Sequence, residues 1–299
     1  MLADRWKSVR RGLALAGACA AALAAAGCTA HPVALKADPP TAAVRGATRA
    51  AADKARPAAA ARVRFSRLKA ADGSVITLAA FSGPVRYVLH DGSQDPGPLA
   101  WAVQAGPKIT GPSRSRLLAA FNGGFLMKAG AGGYEQERHV AKPLRAGLAS
   151  LVIDASGKAR IGVWDQTVPV PGEDVYSVRQ NLWLLLSDGK PTAISYLWGQ
   201  WGATLDNLEY VARSAIGQNA AGNLIYAASM STTPEDLAWA LEHAGAKVAM
   251  ELDINPEWVQ LDAATRPGGP LKAEIPGQNR PASQYLTGWT RDFIAVLGP

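Results

Sequence analysis

Pairs of short alternating apolar segments, each joined by a turn rich in Gly, Asp or Asn, restrict the fold of this chain more than any other feature. Apolar–polar alternation predicts strands with one buried face, and a turn between two such segments predicts a hairpin. Four pairs occur: 63–68 with 75–78, 150–154 with 159–164, 182–186 with 192–195, and 210–216 with 224–228. They predict sheets with mostly antiparallel pairing.

Fewer segments predict helices. Over 234–244 apolar residues share one helical face, Thr233 is a favourable N-cap residue, and Gly245 is placed to end the helix. A shorter helix is predicted over 113–118. Hairpins with interspersed helices predict an α+β fold, a single domain of mixed, largely antiparallel β-sheet with a few packed helices over residues 62–299.

The N-terminal segment has the pattern of a secretory signal. Basic residues up to Arg11 precede an uncharged Ala- and Leu-rich run over 12–26, shorter than the ~20 apolar residues of a membrane-spanning helix. Small residues then lead to Cys28, as in a bacterial lipobox. We interpret 1–28 as a lipoprotein-type signal peptide with Cys28 as its lipidation site; an ordinary cleavage site beside an incidental cysteine is the alternative. The protein is therefore expected on the outer face of the cell membrane, or secreted.

Composition changes after Cys28. Residues 29–61 are rich in Ala and Pro and poor in large apolar side chains, which predicts a disordered tether.

The positive charge of the chain lies mostly in its first part. The whole chain has 31 basic and 24 acidic residues, and the first 61 residues hold nine of the basic and three of the acidic ones. The folded part therefore has 22 basic and 21 acidic residues. Without a basic excess, we expect no nucleic-acid partner for that part. The other cysteine, Cys19, lies in the leader, so no disulfide is expected.

An Asn-Gly-Gly sequence follows the apolar run that ends at Phe121. Paired glycines at Gly123 and Gly124 allow a tight turn and let another group approach the backbone where a Cβ would block it. Asn122 offers both a donor and an acceptor to a ligand or to the turn itself. The segment predicts either a substrate-binding loop or an ordinary Asn-Gly turn.

Two carboxylates end a predicted strand over 248–253. Glu251 and Asp253 alternate with apolar residues, so they lie on one face. Adjacent acids repel unless they share a proton, pair with Arg or bind a cation. The pattern favours acid/base chemistry at a strand end. A structural salt bridge to an Arg such as Arg213 is the alternative.

Two further features have chemical potential. Arg213 stands in an otherwise apolar strand, where an unpaired charge is costly, so it is expected to meet a carboxylate or a phosphate. Trp198 and Trp201 offer rings that could stack on a sugar. The histidines have no metal-ligand spacing, so we predict no metal site. A divalent cation between Glu251 and Asp253 is compatible with the pattern but not required by it, and no other cofactor is expected.

Three segments resemble, in the same order, segments of phosphodiester glycosidases. They are 120–125 (Ala-Phe-Asn-Gly-Gly-Phe), 212–217 (Ala-Arg-Ser-Ala-Ile-Gly) with a turn at Gly222, and the helix-to-strand passage that ends in Leu-Asp at 252–253. That family includes the enzyme that uncovers mannose 6-phosphate by removing N-acetylglucosamine. The resemblance extends from about residue 63 to the C-terminus and implies a hydrolase with a glycan or sugar-phosphate substrate.

The resemblance also implies how the site is built. Asn122, Gly123, Gly124, Arg213 and Asp253 are expected around one pocket. There Arg213 would face a phosphodiester and Asp253 would act on the glycosidic bond.

The chain departs from the family pattern at two points. Ser214 replaces the usual Thr and keeps the hydroxyl. After Asp253, residues 254–258 read Ile-Asn-Pro-Glu-Trp in place of a Gly run followed by Ser, which indicates a divergent subgroup. We assign Ser214 and Asn255 to substrate binding and Glu251 to catalysis beside Asp253.

Two functions remain open. The first is an extracytoplasmic hydrolase of a glycosyl phosphodiester, or related glycosidic bond, in an envelope glycan, with Glu251 and Asp253 as acid and base and Arg213 stabilising phosphate charge. The second is a non-catalytic lipoprotein that binds a glycan or cell-wall polymer in the same pocket. The lost glycines motivate the second function. In both, a lipid anchor holds the protein at the membrane.

Overall fold

A computed structural model describes residues 62–97 and 102–299; the leader, Cys28 and the tether over 29–61 lie outside these ranges. The strands described are β1 (Arg62–Lys69), β2 (Val75–Ser82), β3 (Arg86–His90), β4 (Leu117–Asn122), β5 (Tyr134–Gln136), β6 (His139–Lys142), β7 (Ala149–Asp154), β8 (Ala159–Val163), β9 (Val175–Gln180), β10 (Leu184–Ser187), β11 (Lys190–Pro191), β12 (Val211–Asn219), β13 (Leu224–Thr232), β14 (Ala246–Glu251), β15 (Leu261–Ala263), β16 (Lys272–Ala273) and β17 (Phe293–Leu297). The helices are α1 (Gly111–Arg116), α2 (Pro234–His243) and α3 (Gln284–Thr287).

The strands form three sheets. Sheet A has the order β1-β2-β13-β12-β14-β10-β11, sheet B β16-β15-β4-β17-β3, and sheet C β6-β5-β9-β7-β8. Every pairing between these strands is antiparallel. Together with the three short helices, this confirms the predicted α+β class.

The main core lies where the inner faces of the three sheets meet. Phe81 of sheet A stacks on Phe121 of sheet B with ring centroids 5.7 Å apart, and Tyr226 lies 5.0 Å from Phe121. Leu151 of sheet C and Met250 of sheet A are fully buried in the same cluster. Because all three sheets contribute, β4 and β14 are held between packed layers, and the loops that leave them start from fixed positions.

Helices cover the outer faces of two sheets. Leu237 and Leu241 of α2 are fully buried against sheet A. Tyr285 of α3 stacks on Phe293 of β17 at 4.5 Å and covers sheet B. Strands β4 and β17 therefore have packed neighbours on both faces, which explains why they are buried along their whole length.

The predicted helix over 234–244 is confirmed almost to the residue, since α2 ends at His243. Thr233 Oγ1 accepts a hydrogen bond from the Asp236 N–H at 3.0 Å, while the Asp236 carboxylate accepts one from the Thr233 N–H at 3.3 Å. This reciprocal capping satisfies donors that the first helical turn leaves free. Gly245 follows with φ of 86°, a left-handed conformation that ends the helix.

Three of the four predicted hairpins are confirmed, as β1–β2, β7–β8 and β12–β13. The second arm of the remaining one, predicted over 192–195, is wrong. β11 ends at Pro191, and Ala193–Tyr196 forms a 3₁₀ turn. Proline lacks the N–H that would continue the ladder, and the Thr192 hydroxyl bonds back to the Leu184 carbonyl at 2.8 Å.

The predicted helix over 113–118 is displaced. α1 ends at Arg116, because Leu117 and Leu118 begin the fully buried strand β4. Among the described residues, no helix is long and apolar enough to cross a membrane.

Candidate functional site

An open cleft of about 730 Å³ lies where the loops that follow β4 and β14 meet the turn around Trp198. Among the described residues that line it, Asp253 and Arg291 are the only charged ones. Rings from Phe125, Trp198 and Trp258 line its walls. A cleft with apolar walls and few polar groups is the usual form of a small-molecule site.

Asp253 lies at the floor of this cleft. β14 covers Ala246–Glu251, so the predicted strand over 248–253 is displaced by two residues, and Asp253 lies in the loop that follows. One carboxylate oxygen accepts the Ile254 N–H at 2.8 Å, and the other accepts Arg291 Nη2–H at 2.7 Å. Burial raises the pKa of Asp253 to about 6, against the opposing effects of Arg291 and the Ile254 N–H. Asp253 can therefore exchange a proton near neutral pH.

Arg291 is fixed by contacts on several sides. Besides Asp253, its Nη2 donates to the Gly124 carbonyl at 2.9 Å, and its Nε lies 3.5 Å from the Asp95 carboxylate. Its guanidinium lies 5.0 Å from the centre of the Trp258 ring, a cation–π contact. Arg291 thus places a positive charge in the cleft in one orientation.

A second buried ion pair supports the loop after β4. Arg179 Nε donates to the Asp292 carboxylate at 2.7 Å, and both side chains are nearly inaccessible to solvent. A Cβ on Gly123 would lie 1.9 Å from an Asp292 oxygen, and one on Gly124 would lie 2.9 Å from the Arg179 guanidinium carbon. The paired glycines are required because this ion pair packs against their backbone.

Asn122 connects strands beneath the cleft. Its Nδ2 donates to Ser214 Oγ at 2.9 Å, and its Oδ1 accepts the Tyr226 hydroxyl at 2.7 Å and the Gln260 N–H at 3.2 Å. Ser214 in turn donates its hydroxyl and its N–H to the Asp253 carbonyl, at 2.9 and 3.0 Å. Asn122 and Ser214 therefore hold the backbone of Asp253 in place.

Glu251 and Arg213 pair with each other below the cleft floor. Arg213 Nη1 donates to Glu251 at 2.9 Å, with both side chains fully buried, and also to the Trp201 carbonyl at 3.1 Å. The structure thus matches the alternative prediction for Glu251, a structural salt bridge to Arg213. Burial raises the pKa of Glu251 to about 8, with Arg213 acting in the opposite direction. Among the described residues, Arg213 Nε and Nη2 and Glu251 Oε2 have no hydrogen-bond partner.

The two tryptophans proposed for sugar stacking have different environments. Trp198 lines the cleft. Trp201 is fully buried, donates its ring N–H to the Ile194 carbonyl at 2.8 Å, and meets Trp183 edge-on at 6.1 Å. Of these two tryptophans, Trp198 is the one that offers its ring to a ligand in the cleft.

The predicted site residues are clustered, but they do not share one role. Asp253 and Asn255 line the cleft. The other predicted residues of the described part lie behind them in the hydrogen-bonded layer, namely Asn122, Gly123, Gly124, Arg213, Ser214 and Glu251. Asn255 also accepts the Glu257 N–H at 2.9 Å on its side-chain oxygen, which shapes the loop.

Sequence reasoning missed five residues that build the site: Asp95, Arg179, Asn181, Arg291 and Asp292. One signal was available, because Arg291 and Asp292 directly precede the fully apolar strand β17 and such charges need partners. Asn181 donates to the Glu251 and Leu252 carbonyls at 3.0 Å, and nothing in its sequence context indicated this. Among the described residues, no cluster of three or more His, Cys, Asp or Glu could hold a metal ion.

The fold of the described part is similar to that of a solved phosphodiester glycosidase domain. Among solved structures, the chain is similar to the catalytic domain of zebrafish N-acetylglucosamine-1-phosphodiester alpha-N-acetylglucosaminidase, auto-inhibited by its pro-peptide, with 15% identity and a TM-score of 0.50 over 82% of this chain and 85% of that one. A hypothetical protein from Synechocystis matches at 12% identity and a TM-score of 0.47, over 80% and 62%. At these identities the similarity concerns the fold alone. No family model and no curated protein matches the sequence.

Proposed function

We propose that this protein is a hydrolase that cleaves a glycosyl phosphodiester, or a related glycosidic bond, of an envelope glycan. The observation that carries the proposal is the pair of charged groups in the cleft. Asp253, with a pKa of about 6, can take up a proton, and Arg291 beside it can face a phosphate. The resemblance of the sequence segments and of the fold to phosphodiester glycosidases supports the same reaction class.

A single carboxylate suffices for this reaction. A water molecule attacks the anomeric carbon and passes its proton to Asp253. The bond from that carbon to the phosphate oxygen breaks, and its electron pair stays on the phosphate. Because a phosphate monoester is already a stable leaving group, with a second pKa of about 6, it does not need a strong general acid. Arg291 stabilises the charge that develops on it. The products are a free sugar and a phosphomonoester.

The remaining site residues position these two groups. Asn122 and Ser214 fix the backbone of Asp253, and the Arg179–Asp292 pair fixes the Gly123–Gly124 loop, whose carbonyl at Gly124 holds Arg291. Precise placement is worth a large part of a catalysed rate, since ångström shifts misalign the reacting atoms. In this account, Arg213 and Glu251 support the floor and Asn255 contacts the substrate.

We further propose that the domain works outside the cytoplasm, anchored through a lipid on Cys28. The basic start, the short apolar run and the small residues before Cys28 support this location. Metabolic labelling with a radioactive fatty acid tests it. The wild-type chain should be labelled and recovered with membranes, and Cys28→Ala should be unlabelled; equal labelling of both would contradict the anchor.

A specific observation favours a second function, glycan binding without turnover. Asp253 is the only described carboxylate that lines the cleft, and both of its oxygens already accept hydrogen bonds. If the Arg291 pair keeps the carboxylate from water, the cleft would bind a sugar phosphate and release it unchanged.

Turnover separates the two functions. The full-length protein is incubated with a panel of sugar 1-phosphodiesters, with and without a chelator, and the released reducing sugar and phosphomonoester are quantified. We expect both products in equal amounts over many turnovers. If calorimetry shows saturable binding of the same compounds and no products form, the result would support glycan binding without turnover and contradict the hydrolase proposal.

A further inference from the structure

A short aromatic shelf borders the cleft. Tyr196, Leu197, Trp198, Gly199 and Gln200, here called the Tyr196–Gln200 shelf, line a shallow depression of about 380 Å³. Trp198, Gly199 and Gln200 also line the main cleft, so the two surfaces are continuous. A ligand that fills the cleft and extends past Trp198 reaches this shelf.

The chemistry of the shelf matches a neutral sugar unit. Tyr196 and Leu197 are 54% and 57% exposed, high values for large apolar side chains. No charged side chain is among the described residues that line the depression, and these residues offer no cation of the kind that a phosphate or an anionic lipid would need. A ring, a phenol hydroxyl and the Gln200 amide together fit a sugar, which has one apolar face and a rim of hydroxyls.

The shelf is held rigidly from below. Its chain ends in the buried Trp201, whose ring N–H bonds to the Ile194 carbonyl at 2.8 Å and whose carbonyl accepts from Arg213 at 3.1 Å. Gly202 follows with φ of 92°, and a Cβ there would lie 2.7 Å from the Phe125 ring. A backbone fixed in this way has less conformational freedom to lose when a ligand binds. The buried Arg213–Glu251 pair therefore has a role as the support of the shelf.

We infer that the Tyr196–Gln200 shelf is a second sugar subsite, which takes a neutral sugar unit next to the one held in the cleft. The inference rests on the proposed glycan-directed function of the cleft. It assigns the substrate class as an oligosaccharide or polymer, because a single sugar phosphate in the cleft would leave the shelf empty.

Binding of neutral oligosaccharides to the full-length protein tests the subsite. The probes are chitotriose and maltotriose, each with its monosaccharide, and the variants are Tyr196→Ala and Tyr196→Phe. Tyr210→Ala is the matched control, since Tyr210 is 44% exposed and is not among the residues lining either surface. We expect at least one trisaccharide to bind more tightly than its monosaccharide. Tyr196→Ala should lower the affinity for that trisaccharide by about tenfold, the loss expected for one well-packed ring, and leave the affinity for the monosaccharide unchanged.

The control and the conservative variant complete the test. Tyr196→Phe keeps the ring and loses only the hydroxyl, so its affinity should lie between those of the wild type and Tyr196→Ala, and Tyr210→Ala should change nothing. The subsite is wrong if trisaccharides bind no better than monosaccharides, or if Tyr196→Ala matches Tyr210→Ala. Binding does not require turnover, so a protein that shows the subsite but releases no products would refute only the hydrolase. Turnover without dependence on Tyr196 or chain length would refute only the subsite.

Discussion

The carboxylate of Asp253 and the guanidinium of Arg291 form an ion pair 2.7 Å apart at the floor of the cleft. Two opposing effects act on this carboxylate. Burial favours its neutral form, while the adjacent positive charge favours the ionised one. The result, a pKa of about 6, suits a group that must accept a proton near neutral pH.

Removing the positive charge of Arg291 should reveal how far burial alone raises the pKa of Asp253. In Arg291→Gln, we expect the pKa of Asp253 to rise above about 6, because the burial remains and the opposing charge is lost. Carbon NMR titration of the Asp253 carboxyl measures this without any substrate. Arg280→Gln is the control, since Arg280 stacks near Trp258 at 6.0 Å but pairs with Glu257. An unchanged or lower pKa in Arg291→Gln would contradict the account of this pair.

The glycine at 123 should tolerate no side chain. Gly123→Ala places a Cβ 1.9 Å from the Asp292 carboxylate, so the buried ion pair has to move. We expect a loss of about 3 kcal/mol in the free energy of unfolding, measured by urea denaturation. Gly199→Ala is the control, because nothing lies within 4 Å of its Cβ position. It should change stability by less than about 0.5 kcal/mol. Equal effects would show that Gly123 is not constrained by packing.

The buried and exposed ion pairs should differ strongly in their effect on stability. Asp292→Asn leaves Arg179 buried without a negative partner, which should cost about 3–5 kcal/mol. Asp174→Asn breaks the pair with Arg138. The side chains of Asp174 and Arg138 are 63% and 52% exposed, so the loss of this pair should leave stability nearly unchanged. Thermal or urea unfolding of both variants measures the difference. Similar losses would mean that the Arg179–Asp292 pair does not support the fold.

A buried acid outside the cleft should make stability depend on pH. Burial raises the pKa of Asp262 from 3.8 to about 7, and its neighbours Gln260 and Gln278 offer amide donors but no charge. The native state therefore holds this proton more tightly than the unfolded state. The stability that this bound proton contributes to the native state is fully present below pH 3.8 and is lost as the pH rises through about 7.

Asp262→Asn should remove that dependence. Between pH 4 and 8 we expect the wild-type unfolding free energy to fall more than that of the variant, by about 1–3 kcal/mol as an order of magnitude. Urea denaturation at several pH values provides the comparison. Parallel curves for the two proteins would contradict a raised pKa at Asp262.

Local signals in the sequence predicted most of the fold. The β12–β13 hairpin and the helix α2 follow from residues within a few positions, such as the Asn-rich turn and the cap at Thr233. The second arm of the β10 hairpin failed because Pro191 ends the pairing, a constraint that alternation alone does not include. The arrangement of three sheets around one core depends on contacts between distant strands, which single-sequence patterns do not specify.

The candidate site was predictable only in part. Asp253 and the paired glycines were found because an acid at a strand end and a Gly-Gly turn are local patterns. Their partners were not, since Arg291 lies 38 positions from Asp253 and Asp292 lies 113 from Arg179. Arg213 was assigned to phosphate, with a structural salt bridge to the two acids as the alternative, and the structure shows that alternative as the Arg213–Glu251 pair.

The hydrolase account depends most directly on Asp253 as the proton acceptor. The decisive measurement is the pH dependence of kcat/KM on a sugar 1-phosphodiester for the wild type, Asp253→Asn, and Glu257→Gln as a nearby carboxylate control. Activity should be low when Asp253 is protonated and rise as the pH passes about 6. Asp253→Asn should lower kcat/KM by about 10²–10⁴ and abolish the rise, while Glu257→Gln follows the wild type. Turnover by Asp253→Asn at the wild-type rate, with the same pH profile, would contradict the account.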